Sequence, residues 1–261
     1  DGVDGMEIRR SAQGGVTAPF VNTEECAYLA IEDAFPNGRP PLERAGVVFA
    51  AREVVAKAET MKVCTCLNPL HTALAVFGCL LGHTRIAQEM RDDDLRDFVT
   101  RLGREEMLPA AVHPGVFEPE AFLKEVLTRR LPNAFLPDTP QRIAADTSQK
   151  MPVRFGRTLA VYASRGSAQE LRLIPLVIAG WLRYLVGVDD AGKMFAPSPD
   201  PLLPVLQAAL APLSFGRQYR VEQVHEVLAP LLSDPALFGV DLYAAGLGER
   251  VEALFTVMTA R

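Results

Sequence analysis

A mainly helical domain with a few short strands near its N-terminus is the fold class that the sequence predicts, and three observations predict it. From Ala51 onward apolar residues return every third or fourth position, as in Leu95, Phe98, Val99 and Leu102, or Phe122, Val126, Leu127 and Leu131. That is the period of a helix with one buried face. Before residue 51, β-branched and aromatic residues come instead in short runs split by turn residues. Of 261 residues, 49% are apolar and 23% charged, which suffices for a packed core and excludes a disordered tail.

Taken in order, short strands are expected within residues 16–21, 28–31 and 46–50. Between the last two, Pro36-Asn37-Gly38 supplies a turn and Pro40-Pro41 cannot continue a helix, so residues 35–42 form a fixed surface connection. Asn68 is a preferred N-cap and Pro69 suits the first helical position, so a helix is expected to start there. Further helices are expected at residues 151–164, 168–186, 202–210, 221–232 and 242–259, each bounded by Gly, Pro, Asp or Ser. Residues 187–192 and 197–201 read as turns, because helical patterning resumes close by. The chain therefore divides into residues 1–50, strands and turns, and residues 51–261, a helical body.

Composition narrows the function. The net charge is −5 with no basic stretch, which argues against a nucleic-acid partner. The longest apolar stretch, residues 171–188, is interrupted by Arg172, Pro175 and Arg183, so it reads as a buried helix rather than a membrane span. The first ten residues lack a hydrophobic signal core and four cysteines are too few for a disulfide framework, so a reducing cytoplasm is expected. The chain opens at Asp1 without an initiator Met, as a fragment or a processed product would. A dinucleotide site needs a strand, a Gly-x-Gly-x-x-Gly turn and a helix. Gly246-Leu247-Gly248 lacks the third glycine and Gly14-Gly15 precedes a strand rather than following one. No nucleotide site of its own is expected.

Reactive side chains are densest in residues 61–74, where Lys62, Asn68 and His71 sit among apolar neighbours. Apolar surroundings disfavour an ammonium, so Lys62 could exchange a proton near neutral pH; alternatively it snorkels from a helix end into water. His71 lies about 300° around a helix from Asn68, so the two can converge on one ligand, although a histidine merely bonded at a helix start fits too. Cys64, Cys66, Cys79, His71 and His83 do not have zinc spacing: in a continuous helix Cys64 and Cys66 point about 200° apart. A second cluster runs from Arg142 to Lys150, with Asp146 four residues from each, which by itself describes a surface charge ladder.

Together with Ile31-Glu32-Asp33-Ala34-Phe35-Pro36-Asn37-Gly38-Arg39-Pro40, the Asn-x-x-His core of residues 62–74 and the Asp-x-Ser-Gln-Lys ending of residues 142–150 resemble the polyol-specific long-chain dehydrogenase/reductase family. That family includes mannitol dehydrogenase and the fructuronate (mannonate) and tagaturonate reductases. The resemblance covers most of the chain and implies the family's C-terminal half. It implies a multi-helical domain similar to the C-terminal domain of 6-phosphogluconate dehydrogenase, packed through residues 1–50 on an N-terminal Rossmann domain that binds NAD(P) and is absent here. Lys62 would shuttle the proton without metal. Asn68 would donate a hydrogen bond to the developing alkoxide, and His71 would orient a hydroxyl. Arg142 and Lys150 would hold hydroxyls or the carboxylate of a uronate. The expected substrate is a sugar acid or polyol, with mannonate or fructuronate favoured.

Two departures from the family sharpen the expectations. Six steps separate Lys62 from Asn68 where the family commonly has five. One inserted residue rotates a helix by about 100° unless a π-bulge absorbs it, so a bulge is expected before Asn68. Family members also draw an asparagine and an aspartate from the preceding segment, so this chain alone is expected to be inactive. The alternative is a non-catalytic helical interaction module that docks a separate Rossmann partner or forms a homo-oligomer, leaving an apolar face exposed. A third reading is a helical structural protein with these five polar residues scattered on its surface.

Overall fold

The computed structural model describes residues 28–260 and the backbone of two short strands before them, β1 (Arg9–Arg10) and β2 (Val16–Thr17). These two pair antiparallel, and the rest of the strand expected at residues 16–21, with Gly14-Gly15, lies outside the described residues. The next pair, β3 (Ala30–Glu32) and β4 (Val48–Ala50), runs parallel with Ala30 opposite Val48. Parallel strands need a crossover. Here it is the proline-rich connection expected there, which holds a 3₁₀ turn at Leu42–Ala45 ended by Gly46 in the left-handed region, at φ 85°. Arg39 ties the connection down: its guanidinium pairs with Asp33 and Glu43 and stacks 3.4 Å from the centre of the Phe49 ring.

Helical patterning then governs the chain, beginning with a run made of α1 (Arg52–Met61), a π-turn (Lys62–Cys66) and α2 (Asn68–Leu80). Eleven of the thirteen residues of α2 are buried, as are eleven of thirteen in α9 (Leu173–Leu185), and the two helices pack on each other in the core. Their approach is close: a Cβ on Gly180 of α9 would stand 2.8 Å from the Phe77 ring. By length and composition the run from Arg52 to Leu80 could cross a membrane, yet 67% of its most apolar stretch is buried against protein, as befits a core helix. Within residues 171–188, Leu173–Leu185 form a buried helix, as expected.

Between these two lie α3 (Ile86–Glu89), α4 (Asp93–Arg101), α5 (Pro119–Glu125), α6 (Pro140–Ile143), α7 (Thr147–Arg154) and α8 (Gly156–Ser164). The helix expected at residues 151–164 is thus two helices starting four residues earlier. It breaks because Gly156 presses on Phe238, whose carbonyl oxygen a Cβ would meet at 2.8 Å. Likewise the helix expected from residue 168 begins at Leu173, after a 3₁₀ turn at Ala168–Glu170. Its N-terminus is held by the buried Glu106 carboxylate, which accepts from the backbone N–H groups of Arg172, Leu173 and Ile174 at 2.6–2.8 Å.

α4 runs into a π-turn at Leu102–Met107 and α5 into another at Val126–Arg130. With Lys62–Cys66, each of these three π-turns contains a charged residue with a structural partner elsewhere: Lys62, Glu106 and Arg130. The C-terminal quarter holds α10 (Leu203–Leu210), α11 (Val221–Leu232), α12 (Pro235–Phe238) and α13 (Gly248–Thr259). Helix α13 starts six residues later than expected. Asp241 accepts from the N–H groups of Tyr243 and Ala244, and Gly246 adopts φ 73°, so residues 241–246 turn.

Candidate active site

The site is built at the start of α2. In the π-turn the Leu67 N–H donates to the carbonyl of Lys62, five residues back, at 3.1 Å, so the extra residue is absorbed as the six-step spacing predicts. Asn68 does not cap the helix as expected. It is the first helical residue itself, and the His71 N–H already reaches the Leu67 carbonyl at 3.1 Å. The preceding turn thus supplies what a cap would supply, and the half-buried Asn68 amide is not used in capping.

His71 is buried, and its Nε2 lies 3.5 Å from Asp138 Oδ2 without making a hydrogen bond to any described residue. Burial pushes the imidazole well below its ordinary value, to about 4. The carboxylate of Asp138 opposes this, while Arg130, Arg154 and Arg142 reinforce it. At neutral pH the ring is therefore uncharged, with one nitrogen to donate and one to accept. Asp138 is itself buried, with Arg130 Nη1 3.1 Å from Oδ2 and the Arg142 guanidinium on Oδ1. Arg142 is otherwise exposed, its backbone N–H bonded to Thr139 Oγ1 at the start of α6.

The charge ladder through Asp146 does not form. Asp146 takes up the left-handed conformation at φ 52°, which separates α6 from α7, and Lys150 turns back to donate to the carbonyls of Ile143 and Ala145. Its ammonium is half-buried and titrates lower than a free lysine, first through burial and then through Arg154. Arg154 reaches across to the first turn of α2, donating to Thr72 Oγ1 and, at 3.5 Å, to the Asn68 carbonyl. The contact that joins α7 to α2 thereby brings Arg154 to the first turn of α2, and Lys150 lies within electrostatic reach of Arg154 and Arg142.

Lys62 keeps different company. Its ammonium pairs with Glu59 at 3.1 Å and lies 5.9 Å from the centre of the Phe117 ring, and its side chain is only 15% exposed, which rules out snorkelling into water. It makes no hydrogen bond to Asn68 or His71; the π-turn alone links it to them. The structure thus joins His71 and Arg142 through Asp138, sets Lys150 near Arg142 and Arg154, and adds Asp138, Arg130 and Arg154, which the sequence reading missed. Asp138, four residues before Arg142, is the one of these three whose spacing could have been noticed. Among the described residues no three His, Cys, Asp or Glu side chains gather as metal ligands would, and burial pushes the Cys66 and Cys79 thiols up to about 11 and about 12. A hollow of about 400 Å³ between Leu185, Gln207 and Phe215 has no titratable lining residue.

Comparison with known proteins agrees with this picture. Residues 55–252 match the family model described as the mannitol dehydrogenase C-terminal domain. The chain is 53% identical to a D-mannonate oxidoreductase of Thermotoga maritima, over 98% of this chain and 48% of that protein. It is 32% identical to a mannitol 2-dehydrogenase of Pyrenophora tritici-repentis, over 86% of this chain and 41% of that one. Mannitol 2-dehydrogenase of Pseudomonas fluorescens, solved as a ternary complex with NAD and D-mannitol, superposes at a TM-score of 0.70 with 25% identity, over 87% of this chain and 42% of that chain. The chain spans half or less of the length of these relatives. On the matched residues and the shared fold, it belongs to the mannitol dehydrogenase family, as that family's C-terminal domain.

Proposed function

We propose that this chain is the substrate-binding and catalytic half of an NAD(P)-dependent oxidoreductase acting on a sugar acid, mannonate or fructuronate, in preference to a neutral polyol, in a cytoplasmic setting. The observation that carries the reading is an excess of positive charge: Arg130, Arg142 and Arg154 act on a neutral His71 with one buried carboxylate, Asp138, set directly against it. Such a balance favours an anionic ligand, and a guanidinium fork suits a carboxylate.

In this reading the exposed Arg142 binds the sugar's carboxylate. His71, whose Nε2 has no partner of its own, takes a substrate hydroxyl. The Asn68 amide donates to the oxygen that gains charge as the carbon is reduced, a stabilisation worth about 3 kcal/mol where one such donor has been removed from an enzyme. Lys62 gives that oxygen its proton, and in the reverse direction removes it. Glu59, 3.1 Å away, holds the ammonium in place. The described residues contain no strand, glycine turn and helix that could hold a dinucleotide, so NAD(P) would rest chiefly on an N-terminal Rossmann domain. When bound it supplies the hydride acceptor or donor. Phe135, 94% exposed on the loop that leads to Asp138, supports a covering domain on this side.

The test uses the chain joined to its N-terminal half. NAD(P)-linked oxidation of D-mannonate should be faster at low substrate than that of D-mannitol, and Lys62→Met should lower kcat by about 10²–10⁴-fold, the range for a lost acid–base group. This chain alone should turn over neither. Equal activity of Lys62→Met, or turnover by the isolated chain, would reject the assignment.

A further inference from the structure

Three segments converge on the carboxylate of Asp138: the last residue of the π-turn at Val126–Arg130, the helix α6, and the first turn of α2. Its own backbone is held as well. Pro137 and Pro140 restrict the chain on either side, the Asp138 carbonyl accepts from the Ile86 N–H at 3.1 Å, and Thr139 caps α6. The carboxylate is therefore a fixed point on which the three segments meet. We propose that Asp138 is a positioning residue: it holds the Arg130 and Arg142 guanidinium groups side by side despite their mutual repulsion, and presents the His71 ring, near but unbonded, to a substrate hydroxyl. This rests on the reading of the cluster as a sugar-acid site, but its physical part does not depend on which sugar binds.

The geometry gives the role its direction. Oδ2 is shared between Arg130 at 3.1 Å and His71 at 3.5 Å, while Oδ1 is taken by Arg142. With both oxygens engaged by arginines, the carboxylate does not complete a hydrogen bond to His71, and Nε2 is left buried and unsatisfied. An unsatisfied buried nitrogen costs free energy that a correctly placed hydroxyl recovers. Removing the charge of Asp138 would release its hold on the Arg130 and Arg142 guanidinium groups and would leave His71 facing only cations: Arg130 from the π-turn, Arg142 from α6 and Arg154 from α7.

The experiment is a ¹⁵N NMR titration of the histidines in the 261-residue chain, which has only four, with His71 assigned by the loss of its signals in His71→Asn. Arg142→Gln and Arg130→Gln should each raise the His71 midpoint, and Asp138→Asn should lower it, by about one pH unit for a charge at this range. A His71 midpoint unchanged in both arginine variants overturns the proposal, whether or not Asp138→Asn folds. A second arm assays the protein joined to its N-terminal half: Asp138→Asn should raise KM for D-mannonate by about tenfold while kcat changes less. Shifts of His71 in the first arm without D-mannonate turnover by the unmutated protein in the second would uphold the positioning role and reject the sugar-acid reading. Turnover without the shifts would do the reverse.

Discussion

Along one face of α2, about two turns apart, two acidic side chains are buried in different ways: Asp138 opposite His71, and Glu89 opposite Gly78. Asp138 has two guanidinium groups on it. Glu89 has nothing: both of its oxygens lack a hydrogen-bond partner among the described residues, and burial alone pushes its carboxyl up to about 9. At neutral pH it therefore keeps its proton. The same helix, meeting two acids, holds one as an ion pair and the other as a neutral acid, and the difference lies in the donors, since both are buried. A third acid, Glu106, shows that backbone N–H groups at a helix start serve as well as arginines.

The largest effect should come from Glu89. Its folded value is raised above the ordinary 4.5, so the folded chain holds a proton that the unfolded chain has released. Stability should be full below about pH 4.5 and fall as pH rises toward 9, by at most about 1.4 kcal/mol per unit. Glu89→Gln should abolish that slope, as read by urea denaturation across pH, and a slope that survives the substitution would place its origin elsewhere. His71 should act in the opposite sense over a narrower window. Its folded value is depressed from 6.5 to about 4, so its contribution is present above pH 6.5 and is lost on acidification toward 4. From about pH 4.5 to 6.5 the two slopes should largely cancel, leaving a plateau. Glu89→Gln should convert that plateau into a fall on acidification, and His71→Gln into a fall on alkalinisation.

Packing sharpens the comparison next. A Cβ on Gly78 would lie 2.0 Å from Glu89 Oε1 and 3.0 Å from Pro140 Cγ. Gly78→Ala should therefore destabilise by about 2 kcal/mol, although the same change in an open helix gains about 1. Adding Glu89→Ala should restore much of the loss, and a double variant no better than the single one would show that Pro140 is the obstacle. The smallest effect belongs to the His71 end: Thr72→Val removes a bond from Arg154 and should cost about 1 kcal/mol in chemical denaturation.

How legible this was depended on whether a feature is local. The π-turn could be read from one comparison, six steps between Lys62 and Asn68 where the family that the chain resembles commonly has five, because helix geometry converts an extra residue into a rotation. The apolar period likewise located most of the helices. Helix ends were misplaced where a distant group decided them, as Glu106 does at Leu173 and Phe238 does at Gly156. The break at Asp146 left no signal, since an aspartate in the left-handed region looks in sequence like any other. Of the site, Lys62, Asn68 and His71 stood out as polar residues in an apolar segment, and Arg142 and Lys150 as a charged cluster, while their roles came through resemblance to a family. Arg130 and Arg154 escaped because their partners, Asp138 and Thr72, are 8 and 82 residues away, and spacing on one helix says nothing of either.

The π-turn at Lys62–Cys66 also bears on how such a protein could change. Deleting one of its residues would let it heal into ordinary α-helix, keeping the run from Arg52 to Leu80 continuous while turning α1 by about 100° relative to α2. Lys62 would swing with α1, whereas His71 and the arginine cluster, all anchored beyond the turn, would stay put. Loss of a single codon, rather than any substitution, is thus the shortest path from this chain to a folded descendant with the five-step spacing of the family, its lysine turned relative to His71.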